Sequence, residues 1–136
     1  MQIPEALQHF AEPALIVTAD HFQARLWIAF EDSMEEIETL ELPKTELSDN
    51  EGKEIGQEMT DDERTRHFIS GLADHINQLI RDEEAASSLH LIAPADVINP
   101  LKKLLAPEAA NIVSKELDVN VMKEDAVQIL ERIIAA

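Results

Sequence analysis

Two apolar segments separated by only two residues place the first constraint on this chain. Pro13 to Ala19 (Pro-Ala-Leu-Ile-Val-Thr-Ala) is a short continuous apolar run containing β-branched residues, a pattern that suits a central strand buried on both faces. Phe22 to Phe30 alternates instead. Phe22, Ala24, Leu26, Ile28 and Phe30 share one face, and Gln23, Arg25, Trp27 and Ala29 share the other. Asp20-His21 between them is too short for a crossover, so the two strands must be antiparallel neighbours.

Met34 to Leu42 reads as a third strand whose many charges place it at a sheet edge. From Glu31 to Glu63 there are fourteen acids against two bases, Lys44 and Lys53, a net charge of −12 out of −17 for the chain. Within that tract Pro43 to Met59 lacks apolar periodicity, and Ser48-Asp49-Asn50-Glu51-Gly52 carries turn chemistry, so a long mobile acidic loop is expected there. Thr60-Asp61-Asp62-Glu63 is a capping box that should start a helix. Its buried stripe would be Ile69, Leu72, Ala73, Ile76 and Ile80, ending near Arg81. Leu89 to Ala93 is a buried fourth strand ended by Pro94. Asn99-Pro100 reads as a cap and first helical residue, with a start slightly earlier also compatible, and Pro107 ends or kinks that helix. Ile112 to Val119 alternates as a fifth strand, and Glu124 to Ile134 closes as a helix with Ala126, Val127, Leu130, Ile133 and Ile134 inward.

Right-handed crossovers lay the fourth and fifth strands parallel to the first. The expected fold is therefore a three-layer, ribonuclease H-like α/β domain spanning residues 1–136, with a five-stranded mixed sheet in the order 3-2-1-4-5 and helices on both faces. A length of 136 residues and 45% hydrophobic content are enough for one core.

Several chemistries are excluded by what the chain carries. A metal nuclease needs carboxylates from several strand ends. Asp20 is the only acid so placed, and the fourth strand offers only His90, so Asp20 reads as a turn residue serving its own backbone. His67 and His75 lie eight apart on a helix, more than ~10 Å of rise, too far for a shared metal ion. Ser70 and the adjacent Asp74-His75 cannot align as a triad. With three glycines there is no phosphate cradle, and with no cysteine there is no thiolate site, so no cofactor and no metal is expected. Twenty-eight acids against 11 Lys and Arg oppose direct nucleic-acid binding. No apolar run approaches membrane-spanning length, and the N-terminus lacks a basic start and apolar run, so no membrane partner and a cytoplasmic location are expected.

Pieces from both halves resemble a known family. Ile16-Val17-Thr18-Ala19-Asp20, Ala24-Arg25-Leu26, Leu89-His90-Leu91-Ile92-Ala93-Pro94, Leu101-Lys102-Lys103-Leu104-Leu105 and Glu116-Leu117-Asp118 are similar to bacterial host attachment proteins. That family in turn resembles the central domain of archaeal and eukaryotic release factors and of Pelota, whose fold agrees with the layout above. In release factors a Gly-Gly-Gln loop follows the third strand. Here the matching segment is Ile55-Gly56-Gln57, in which Ile55 removes the freedom of the first glycine and acidic neighbours would repel ribosomal RNA. The family's Lys-Asp-Leu falls on Val119-Asn120-Val121, and a helix glycine is replaced near Pro100.

The resemblance implies a non-enzymatic binding or adaptor domain whose acidic loop meets a basic protein surface, ribosomal proteins among the candidates. The competing reading is a peptidyl-tRNA hydrolase or rescue factor using Gly56 and Gln57. The candidate binding residues are Gly56, Gln57, Asp20 and Arg25. For Arg25 and Trp27 the alternative to a contact surface is an ordinary sheet face covered by a helix.

Overall fold

The strand that is apolar on both sides becomes the centre of the sheet. A computed structural model describes residues 1–41, 61–83 and 86–136. The strands are β1 (Phe10–Ala19), β2 (Gln23–Glu31), β3 (Ser33–Glu41), β4 (Ser88–Ala93) and β5 (Val113–Asp118). The helices are α1 (Asp61–Glu83), α2 (Ala95–Leu104), the short α3 (Pro107–Ala110) and α4 (Ala126–Ala135). The sheet order is β3-β2-β1-β4-β5, as the sequence predicts. β1 pairs antiparallel with β2 and parallel with β4, and β4 pairs parallel with β5.

Period-two alternation divides the apolar side chains between two cores. Leu15, Val17, Ala24, Leu26, Leu89 and Leu91 face α1 and α2, which contribute the expected stripe of Ile69, Leu72, Ala73, Ile76 and Ile80 together with Val97, Ile98 and Leu101. Ala14, Ile16, Trp27, Ala29 and Ile92 face α4, which contributes Ile129, Leu130 and Ile133, with Ile3 and Val121 completing that layer.

The edge strand bears its charges by means of a bulge. Trp27 pairs with Glu36 and Leu26 with Glu38, which leaves Ile37 as an extra residue, 43% exposed. The two flanking acids therefore sit on opposite faces. Glu38 meets His75 of α1 at 2.8 Å, and Glu36 meets Arg25. The N-terminal residues cover the start of this edge: Gln2 bridges Ser33, and the amides of Ile3 and Met34 donate to the carbonyls of Asp32 and Met1.

Several boundaries differ from the sequence reading. Phe22 is not an inward strand residue. It lies in the turn before β2 and is 59% exposed, because Asp20 Oδ1 accepts from the amides of Phe22 and Gln23 and holds a tight reversal there. Phe30, at the turn end of the β2–β3 hairpin, is also exposed. The second helix starts at Ala95, not at Asn99, and runs through Pro100. The Asp118 carboxylate takes the Ala95 amide at 2.9 Å, and burial of Val97, Ile98 and Leu101 offsets the backbone bond that Pro100 cannot donate. Pro107 occupies the first turn of α3, where its missing N–H costs nothing. α4 begins at Ala126, after Asp125 and Gln128 close a reciprocal capping box, and it buries Ile129, whereas Val127 and Ile134 are half-buried. Thr60, the expected loop at Pro43 to Met59, and Gly56 and Gln57 within it lie outside the described residues.

Candidate functional site

The two described candidates from the sequence lie on one hairpin but are not joined. Asp20 spends one carboxylate oxygen on the amides of Phe22 and Gln23, at 2.7 and 2.8 Å. Arg25 stacks over the Trp27 ring, 4.5 Å from its centre, and donates from Nε and Nη2 to the two oxygens of Glu36 at 3.2 and 3.0 Å. The hydrogen bond from Arg25, with a further one from Thr39, holds the Glu36 carboxyl below its ordinary range against the opposing effect of burial. Trp27 is only 5% exposed, and its Nε1 donates to Thr18 Oγ1 at 3.4 Å. The fork is thus matched to a carboxylate of its own chain.

At the carboxyl ends of the parallel strands, where open α/β sheets usually take ligands, Asp118, His21 and Asp96 are likewise matched within the chain. Asp118 caps the first turn of α2, and His21 Nε2 meets Asp96 of that helix at 2.7 Å. No group of three or more potential ligands that could hold a metal ion occurs among the described residues.

The opposite end of the sheet is different. β4 begins beside Ala14, so Phe10, Ala11 and Glu12 of β1 extend past its first residue. Next to this overhang is a cavity of about 360 Å³ lined by Phe10, Glu12, Ser88, His90, Lys115 and Ile133. A second cavity of about 550 Å³ shares His9, Phe10 and Ala11 with the first and is bounded by Gln8, Glu31 and Asp32. The two form one groove along the start of β1. Glu31 on its rim holds a positive φ of 55°, unusual for a residue with a side chain, and the left-handed region costs it about 1 kcal/mol.

His90 is the chemically distinct residue in the groove. It is 6% exposed, its ring meets Phe10 edge-on, and its Nε2 lies 3.3 Å from Ser88 Oγ. Nδ1 is buried and has no hydrogen-bond partner among the described residues. Whichever way the proton sits between Ser88 and Nε2, Nδ1 is left as an unmatched donor or an unmatched acceptor. Burial first, and the nearby Lys115 second, push the His90 pKa below its ordinary value, which keeps the ring neutral. Lys115 itself donates to the carbonyls of Ile133 and Ala136 at the end of α4. The sequence signal for this site was His90 as the one polar side chain in the otherwise apolar run Leu89 to Ala93. Its neighbours from β1, β5 and α4 are distant in sequence and carried no signal.

This order of strands, with helices on both faces, is the α/β fold of a release-factor domain. An archaeal translation termination factor, aRF1, superposes with a TM-score of 0.57 at 9% identity over 90% of this chain and 38% of that one. A second solved structure, described as an archaeal protein, gives 0.56 at 14% identity over 91% of this chain and 37% of that one. The chain therefore spans well under half the length of either. Residues 15–133 match the family described as proteins required for attachment to host cells, and the chain belongs to that family. No curated protein is a significant sequence match. No described helix is long and apolar enough to cross a membrane.

Proposed function

We propose that the chain is a non-enzymatic adaptor that docks a basic protein surface through its acidic tract. The observation that carries this reading is the run from Glu31 to Glu41, with six acids and no Lys or Arg, which spans the β2–β3 turn and the outermost strand of the sheet. Glu35, Glu36 and Glu38 are paired with the N-terminal amine, Arg25 and His75. Glu31, Asp32 and Glu41 make no ion pair among the described residues, so their charge is available to a partner. Ribosomal proteins are the basic surfaces this reading favours, because the fold is shared with part of a translation termination factor.

Co-sedimentation with salt-washed ribosomes tests the proposal. Binding should be present at low salt, fall as salt screens the charges, and disappear when the acids between Glu31 and Glu63 are changed to their amides. Binding that survives both treatments would sink it. Ribosome-dependent hydrolysis of peptidyl-tRNA that Gln57→Ala abolishes would put the rescue-factor reading in its place.

A further inference from the structure

We infer that the groove along the start of β1 is a docking site for an extended basic peptide of a partner protein. The inference deepens the adaptor reading and rests on it for the charge of the partner, while placing the contact outside the expected loop at residues 43 to 59.

Three features of the groove converge. The β1 residues Phe10 to Glu12 run past the start of β4, where the last described bond between the two segments is from the Ser87 amide to the Pro13 carbonyl, so an incoming strand would pair with β1 from Glu12 back to Phe10. Glu12, Glu31 and Asp32 line the two cavities and make no ion pair among the described residues, whereas the cation in the groove, Lys115, is occupied with the end of α4. A peptide bearing lysine or arginine is thus matched, and an anionic one is repelled by these acids and by the net charge of −17. Finally, His90 lines the floor, and its buried Nδ1 has no partner, so the site contains a polar group that the chain itself leaves unsatisfied. Phe10 and Ile133 supply apolar wall for alternate side chains of the peptide.

The probe is a fluorescein-labelled dodecapeptide alternating lysine and valine, with a glutamate-for-lysine peptide as control, added to the full chain. Anisotropy should report binding of the lysine peptide alone. Amide shifts should concentrate at Phe10 to Glu12, with a shift of the His90 ring protons. The double variant Glu31→Gln, Asp32→Asn should weaken binding roughly fivefold to tenfold. Amide substitution of the acids between residues 43 and 59 should leave the location of the shifts unchanged. Equal affinity of the double variant, or shifts that avoid both Phe10 to Glu12 and His90, would overturn the inference. If the groove is silent while ribosome co-sedimentation persists, the groove falls and the adaptor reading stands. If the peptide binds as described and co-sedimentation fails, the adaptor reading falls and the groove stands.

Discussion

At the carboxyl end of the sheet Asp20, His21, Asp96 and Asp118 all answer groups of their own chain, and at the amino end the buried Nδ1 of His90 does not. Asp20 closes the β1–β2 turn, Asp118 caps α2, and His21 meets Asp96. At the amino end His90 keeps a buried nitrogen without a partner, and Glu31 holds a left-handed backbone beside it along the groove. Groups satisfied within the chain behave as structure. An end that retains strain and an unmatched polar atom has a reason to be retained for something else. The usual expectation for open α/β sheets, ligands at the carboxyl ends, is reversed here because Asp20, Asp96 and Asp118 at that end are engaged in a turn, an ion pair and a cap.

Three substitutions can break or sharpen this contrast. Asp20→Ala removes the acceptor for two turn amides and should destabilise the protein by about 1 to 2 kcal/mol in urea unfolding, with no effect on peptide binding in the groove. A loss of groove binding without loss of stability would contradict the division between the two ends. Glu31→Gly should act in the opposite direction, stabilising by roughly 0.5 to 1 kcal/mol through relief of the left-handed backbone while weakening the basic peptide. If stability drops instead, the strain assigned to this position is wrong.

The smallest effect appears only on acidification. Because the folded state depresses the His90 pKa below 6.5, the ring is neutral in both states above that value. Below it the unfolded chain takes up a proton that the folded chain refuses, so stability is lost as pH falls from 6.5 toward the depressed folded value. His90→Leu should therefore show a shallower loss between pH 7 and pH 5 than the wild type. Parallel curves for the two proteins would show that the ring is not held neutral. Carboxylates such as Glu36, whose pKa is also lowered in the fold, lose their contribution at more acid pH, below their ordinary value of 4.5.

What the order of residues determined by itself was the sheet and its layering. The continuous apolar runs at Pro13 to Ala19 and Leu89 to Ala93 require burial on two faces, and the two-residue Asp20-His21 connection permits only an antiparallel turn. These are local constraints, with a period of two or a connection of fixed reach, and they survive without knowledge of the rest of the chain. The tertiary structure decided wherever a local preference met a distant partner. Pro100 reads as a helix start, yet α2 begins five residues earlier because Asp118, from the following strand, caps Ala95 and the Val97, Ile98 and Leu101 face is buried. Arg25 reads from the sequence as part of either a contact surface or a sheet face covered by a helix, and the β3 bulge at Ile37 instead turns Glu36 toward it. The groove was least legible of all, since it is built from the offset between the ends of β1 and β4. Strand offset is set by packing across the sheet, and no residue in either strand encodes it alone.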